Sequence, residues 1–166
     1  ELDCDVIYAG VDRKHRIEVL SPIFQSERIK TRAHIRIEKR NGDLYQKNLL
    51  SFKNHENLSL FPYEESADRH ARSLVQPIVG DKWQDGNFVS LRWWSTLSYP
   101  SIPAIHISYD PNKSLIVDKT LKSEIYWETE EDLFEIVEKA KSSYGYRQDI
   151  INLARLEKPQ TSWNEL

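Results

Sequence analysis

Two stretches of this chain place a glycine and arginines just after a short apolar run. In the first, Asp5-Val6-Ile7-Tyr8-Ala9-Gly10 is followed by Arg13 and Arg16. In the second, Ile78-Val79-Gly80-Asp81-Lys82 leads through Asn87-Phe88 to Leu91-Arg92-Trp93-Trp94. A glycine lets a ligand approach the main chain closely, because no side chain stands in the way. A guanidinium group can bridge two phosphate oxygens at once, which an ammonium cannot do in the same way. Two strand-to-helix turns built like this fit a nucleotide diphosphate held at the carboxyl edge of an α/β sheet.

The rest of the pattern must position those turns. Residues 5–9 read as a buried strand ended by Gly10. Arg16 to Phe24 reads as a helix, with Pro22 placed to end it early. His34 to Glu38 alternates as a strand, Asn41-Gly42 is a turn signal, and Leu44 to Phe52 reads as a returning strand. Pro62 opens a helical segment with Glu64, Glu65 and Asp68 in its early part. Pro77-Ile78-Val79 is the next strand, with proline at its first position. Ile105 to Ser108 is another, entered through Pro103. Thr129 with Asp132 three residues on marks a helix start before Leu133, Ile136, Val137 and Ala140. Gly145 breaks that helix, and Arg147 to Leu156 is helical again before Pro159. Aromatic content over 88–98 favours a strand by pattern alone. The alternation of short strands and helices predicts an α/β fold: a Rossmann-like parallel sheet with helices on both faces.

Composition sets outer limits. A chain of 166 residues with 39% hydrophobic content can bury one substantial core, so a single domain over 1–166 is expected. The net charge of −3 hides an asymmetry: residues 1–54 are mildly basic and the acid excess lies in 55–166. No polybasic tract announces nucleic acid. One cysteine, Cys4, excludes an internal disulfide and a thiolate-rich zinc site, in keeping with a reducing compartment. No apolar run approaches the roughly 20 residues that span a bilayer. The chain has no methionine and starts at Glu1, which reads as a piece of a longer protein.

From Asp5-Val6-Ile7-Tyr8 to Trp163, and most specifically from Ile78 to Leu97, the sequence resembles the C-terminal half of the phage DNA β-glucosyltransferases. Those enzymes move glucose from UDP-glucose to 5-hydroxymethylcytosine in DNA. The resemblance implies the donor-binding half of a GT-B glycosyltransferase, with a helix rather than a strand over 88–98. It places Gly10, Arg13, Arg16 and Arg92 at the diphosphate, and Asp81 beside the sugar and diphosphate. Phe61-Pro62 falls on the turn whose main chain reads uracil. Ser95 stands where the family carries a glutamate that accepts from the ribose hydroxyls; serine makes one such bond, without the charge. Around Ile37 no glycine matches the family's glycine near the nucleoside. Trp94 is expected in the core and Trp83 toward the ligand.

A UDP-sugar, UDP-glucose or another, is thus the expected donor, with Mg2+ or Mn2+ as an accompanying ion. The catalytic base and most contacts to modified DNA would belong to an N-terminal acceptor domain absent from this chain, so no base is assigned here. A monomer, without a membrane, in the cytoplasm of an infected bacterial host completes the expectation. A non-catalytic nucleotide- or protein-binding module on the same scaffold, or a transferase with another acceptor, is the alternative. His106-Ile107-Ser108 resembles one half of the two-histidine phosphoesterase signature, but His34-Ile35-Arg36 is no second half, and alternation along a strand accounts for His106.

Overall fold

A computed structural model of the chain describes residues 1–11, 13–36, 66–80 and 91–157. Among these residues, five strands form one parallel sheet in the order β2-β1-β3-β4-β5. They are β1 (Cys4–Val11), β2 (Thr31–Arg36), β3 (Ser73–Ile78), β4 (Ile102–His106) and β5 (Tyr126–Trp127). Between and after them run α1 (Lys14–Phe24), α2 (Ser66–Ala71), α3 (Leu91–Leu97), α4 (Lys119–Ile125), α5 (Glu130–Ser142) and α6 (Tyr144–Leu156). The α/β expectation holds. Every position of β3 and β4 is buried, as it must be when helices cover both faces of a parallel sheet.

The chain runs outward from β1 to β2 and then returns to place β3 on the other side of β1. That reversal opens a crevice beyond the carboxyl ends of β1 and β3, where open α/β sheets hold their ligands. Gly10 lies near the end of β1, and Gly80 follows the end of β3. Both glycine turns therefore sit at the switch point.

Several boundaries differ from the sequence reading. Pro22 lies inside α1 and does not end it. It costs the helix one i→i−4 bond, and the buried Ile23 and Phe24 secure the last turn all the same. Strand β3 starts at Ser73, with Pro77 inside it. The register with β1 runs from Cys4–Ser73 to Val6–Val75, and Pro77 lies beyond it, facing Ala104 of β4. Strand β4 starts at Ile102 and ends at His106, so Pro103 is internal and Ser108 lies past the end. Strand β2 begins at Thr31, earlier than His34. Gly145 sits in the first turn of α6 and is not the breaker. Ser143 is, serving as C-cap of α5 and N-cap of α6 in extended conformation.

Helix α5 starts as its sequence announces. Thr129 Oγ1 accepts from the Asp132 amide, and Asp132 Oδ2 accepts from the amides of Thr129 and Glu128. Leu133, Phe134, Ile136, Val137 and Ala140 are its buried face. Over 91–97 the chain is helical, as the resemblance implied and the local pattern did not. The turn at Asn41-Gly42, the returning strand over 44–52, Pro62 with Glu64 and Glu65, and Pro159 lie outside the described residues.

Candidate functional site

Side chains alternate along a strand, so Tyr8 and Gly10 of β1 share a face of the sheet. A methyl group at Gly10 would lie 2.6 Å from the Tyr8 hydroxyl oxygen and 3.0 Å from Nη2 of Arg92. The space that glycine leaves is thus bordered by a phenol and a guanidinium that are far apart in the sequence. Arg92, in the first turn of α3, donates from Nη1 to the main-chain oxygen of Ala9 and lies over the Tyr8 ring, 5.3 Å from its centroid. Tyr8 itself is buried, 1% exposed, and its hydroxyl has no hydrogen-bond partner among the described residues.

Past β1 the chain enters α1 with Arg13 at the N-cap, an exposed position in extended conformation without a side-chain cap. The first turn holds Lys14, His15 and Arg16 and contains no acid. Lys14 pairs with Glu18 at 3.6 Å, and Arg16 is half-buried. Cations at this end work against the helix dipole, whereas an anion beyond it would suit both.

The second glycine turn is closed by main chain. A methyl at Gly80 would meet the Ser108 carbonyl oxygen at 2.2 Å and the Tyr109 Cα at 2.7 Å. The Gly80 amide donates to Ser108 Oγ at 3.2 Å. Ser108 Oγ lies 2.7 Å from His106 Nδ1, which also accepts the Ser108 amide at 3.1 Å. These contacts assign the tautomer: Nδ1 is the acceptor and Nε2–H donates to the Glu128 carbonyl at 3.3 Å. Burial, with a lesser push from the charge of His15, holds the His106 pKa below its ordinary value.

The structure therefore brings Gly10 and Arg92 into direct proximity, with Arg13 and Arg16 on the helix that follows. Ser95 is exposed on α3, and its hydroxyl donates back to the Arg92 carbonyl at 3.0 Å. Phe61, Asp81 and Trp83 lie outside the described residues. The tryptophan expectation is corrected: Trp93 is fully buried and Trp94 is 43% exposed. One residue on a helix turns a side chain by about 100°, and the face that meets the sheet is that of Trp93. Sequence reasoning missed Tyr8, although its place two residues before Gly10 was a usable signal. It also set His106 and Ser108 aside as an incomplete signature, whereas they hold the Gly80 turn. Among the described residues, no group of three or more His, Cys, Asp or Glu converges to hold a metal ion.

No protein-family model matches the chain, and no curated protein matches it in sequence. Solved structures do. T4 phage β-glucosyltransferase in complex with UDP and Mn2+ superposes with a TM-score of 0.65 at 18% identity, over 93% of this chain and 42% of that one. The DNA-modifying enzyme β-glucosyltransferase, solved in the presence and absence of uridine diphosphoglucose, gives 0.68 at 18%, over 93% and 45%. The catalytic domain of cholesterol-α-glucosyltransferase from Helicobacter pylori gives 0.59 at 12%, over 91% and 95%. The fold is that of GT-B glycosyltransferase domains. The likeness is one of architecture, and the chain spans less than half the length of the T4 phage enzyme. Among the described residues, no helix is long and apolar enough to cross a membrane.

Proposed function

We propose that residues 1–166 form the UDP-sugar-binding domain of a DNA glycosyltransferase. The enzyme moves glucose, or another sugar, from a UDP-sugar to 5-hydroxymethylcytosine in phage DNA, inside an infected bacterial host. The observation that carries this reading is the meeting of Gly10 and Arg92 at the switch point of the sheet, beside a helix that starts with Arg13 and Arg16. UDP departs as the sugar is transferred, so negative charge grows on the diphosphate in the transition state. Guanidinium groups and bare main chain fixed there lower the barrier.

In this reading Arg92, Arg13 and Arg16 bind the diphosphate, and Gly10 admits it. Asp81 orients the sugar side, Phe61 belongs to the turn that reads uracil, and Ser95 offers the ribose one neutral hydrogen bond in place of a charged pair. Mg2+ or Mn2+ accompanies the ligand's phosphates in this reading. The general base and the DNA contacts belong to a separate acceptor domain. Alone, this domain binds donor as a monomer and does not turn it over.

Calorimetry with UDP and UDP-glucose tests the reading. Micromolar binding of both, abolished in Arg92→Ala, is the expected result. A properly folded domain that ignores both ligands overturns it. The alternative, a binding module that has lost catalysis, is favoured by Ser95, whose hydroxyl is engaged with its own helix. Joined to its acceptor domain, a mere module would bind UDP and still release none from UDP-glucose with hydroxymethylated DNA.

A further inference from the structure

We propose that Tyr8 is a phosphate-binding residue, its hydroxyl donating to an oxygen of the diphosphate that Arg92 also binds. This rests on the donor-site reading and adds to it a residue that no motif marked. Three observations carry it. The hydroxyl is buried and makes no hydrogen bond among the described residues, a condition that native interiors avoid unless the group serves something. It points into the gap left by Gly10, where the backbone is bare. Nη2 of Arg92 reaches the same gap, so the charge of a guanidinium stands beside the phenol O–H.

An anionic oxygen suits this place best, accepting from the phenol beside a positive charge. A carbonyl could accept two donors, but an oxygen bearing charge matches the guanidinium and strengthens the phenol bond. Arg92 lies over the Tyr8 ring and reaches the same gap, so a ligand oxygen that meets the hydroxyl meets the guanidinium as well. The two side chains therefore engage the ligand together. Tyr8 transfers nothing; it positions the leaving diphosphate, and its bond gains as charge develops there.

Tyr8→Phe isolates the hydroxyl, because the ring, its burial and its contact with Arg92 remain. Titrate parent and variant with UDP, inorganic pyrophosphate and uridine, and melt each without ligand. The variant should bind UDP and pyrophosphate about tenfold more weakly or worse, with uridine binding as in the parent. Its unliganded melting midpoint should stay level or rise, because a buried group without a partner has been removed. Pyrophosphate should also perturb the tyrosine absorbance band of the parent and leave that of the variant unchanged. Parent-like pyrophosphate affinity in the variant overturns the proposal, as does a melt several degrees lower. If Arg92→Ala loses UDP while Tyr8→Phe keeps it, the donor reading stands and the role of Tyr8 falls. If the parent binds pyrophosphate through Tyr8 but not UDP, the nucleotide reading falls and the subsite stands. A parent that binds neither sinks both.

Discussion

Arg92 hydrogen-bonds the main-chain oxygen of Ala9, 83 residues earlier in the chain. One side chain thereby fastens the start of α3 to the tip of β1. The planar fork of a guanidinium can hold that carbonyl with one nitrogen and offer another outward, while an ammonium presents a single point of charge. Arg92→Lys should therefore keep the fold and the charge yet lose at least about tenfold in UDP affinity, roughly 1.4 kcal/mol. Titration calorimetry beside a thermal melt checks both halves, and parent-like affinity in R92K would remove the bridging role.

The two glycines should respond differently to the same methyl group. At Gly80 the added carbon meets the main chain of Ser108 and Tyr109, which cannot move without disturbing the end of β4. Gly80→Ala should cost about 1–3 kcal/mol in urea unfolding, the usual range for overpacking a rigid site. At Gly10 it meets the Tyr8 hydroxyl and the Arg92 guanidinium, the movable ends of two side chains. Gly10→Ala should cost less stability than Gly80→Ala and more binding. The reverse order in the urea midpoints would contradict this account of the two turns.

His106 should make stability depend on pH in the weakly acidic range. Its folded-state pKa lies below the unfolded value of 6.5, chiefly through burial, so the unfolded chain takes up the proton more readily. The stability that neutral His106 supports is fully present above pH 6.5 and is lost as pH falls toward its lower folded value. Protonation also turns Nδ1 into a donor facing the Ser108 amide, which loosens the hold on Gly80. Unfolding midpoints from pH 7.5 to 5 should fall in the parent more steeply than in His106→Asn. Parallel curves would exclude His106 as the source.

Much of this was readable from residue order, and the failures have physical causes. The capping box at Thr129 and Asp132 announces α5 because both bonds lie within four residues. The tips of β1 and β3 announce themselves because apolar runs stop at glycine. Pro77 and Pro103 mislead: Pro77 reads as a strand's first residue and Pro103 as the way into a strand that begins at Ile105, yet both sit inside strands, at places set by distant neighbours. Trp93 and Trp94 could not be ranked, since a helix of seven residues is too short to display a periodicity. Tyr8 looked like any core aromatic, and only the position of Arg92 gives its hydroxyl a meaning.

Cys4 offers a probe of global opening. It is the one cysteine in the chain, it is buried, and its thiol is pushed up to about 12, first by burial and then by the charge of Asp3. Iodoacetamide at pH 8 should leave the folded protein unmodified for hours and label it fully in concentrated urea. The labelling rate at intermediate urea should follow the unfolded fraction measured by circular dichroism. Rapid labelling without denaturant would mean that the first strand opens independently of the rest.

Strand β5 contributes only Tyr126 and Trp127 to the sheet. A border that short gives a passing polypeptide almost no ladder of free amides and carbonyls to copy. Extending that margin by a few alternating apolar residues would turn a sealed hem into a template for stacking one molecule on the next.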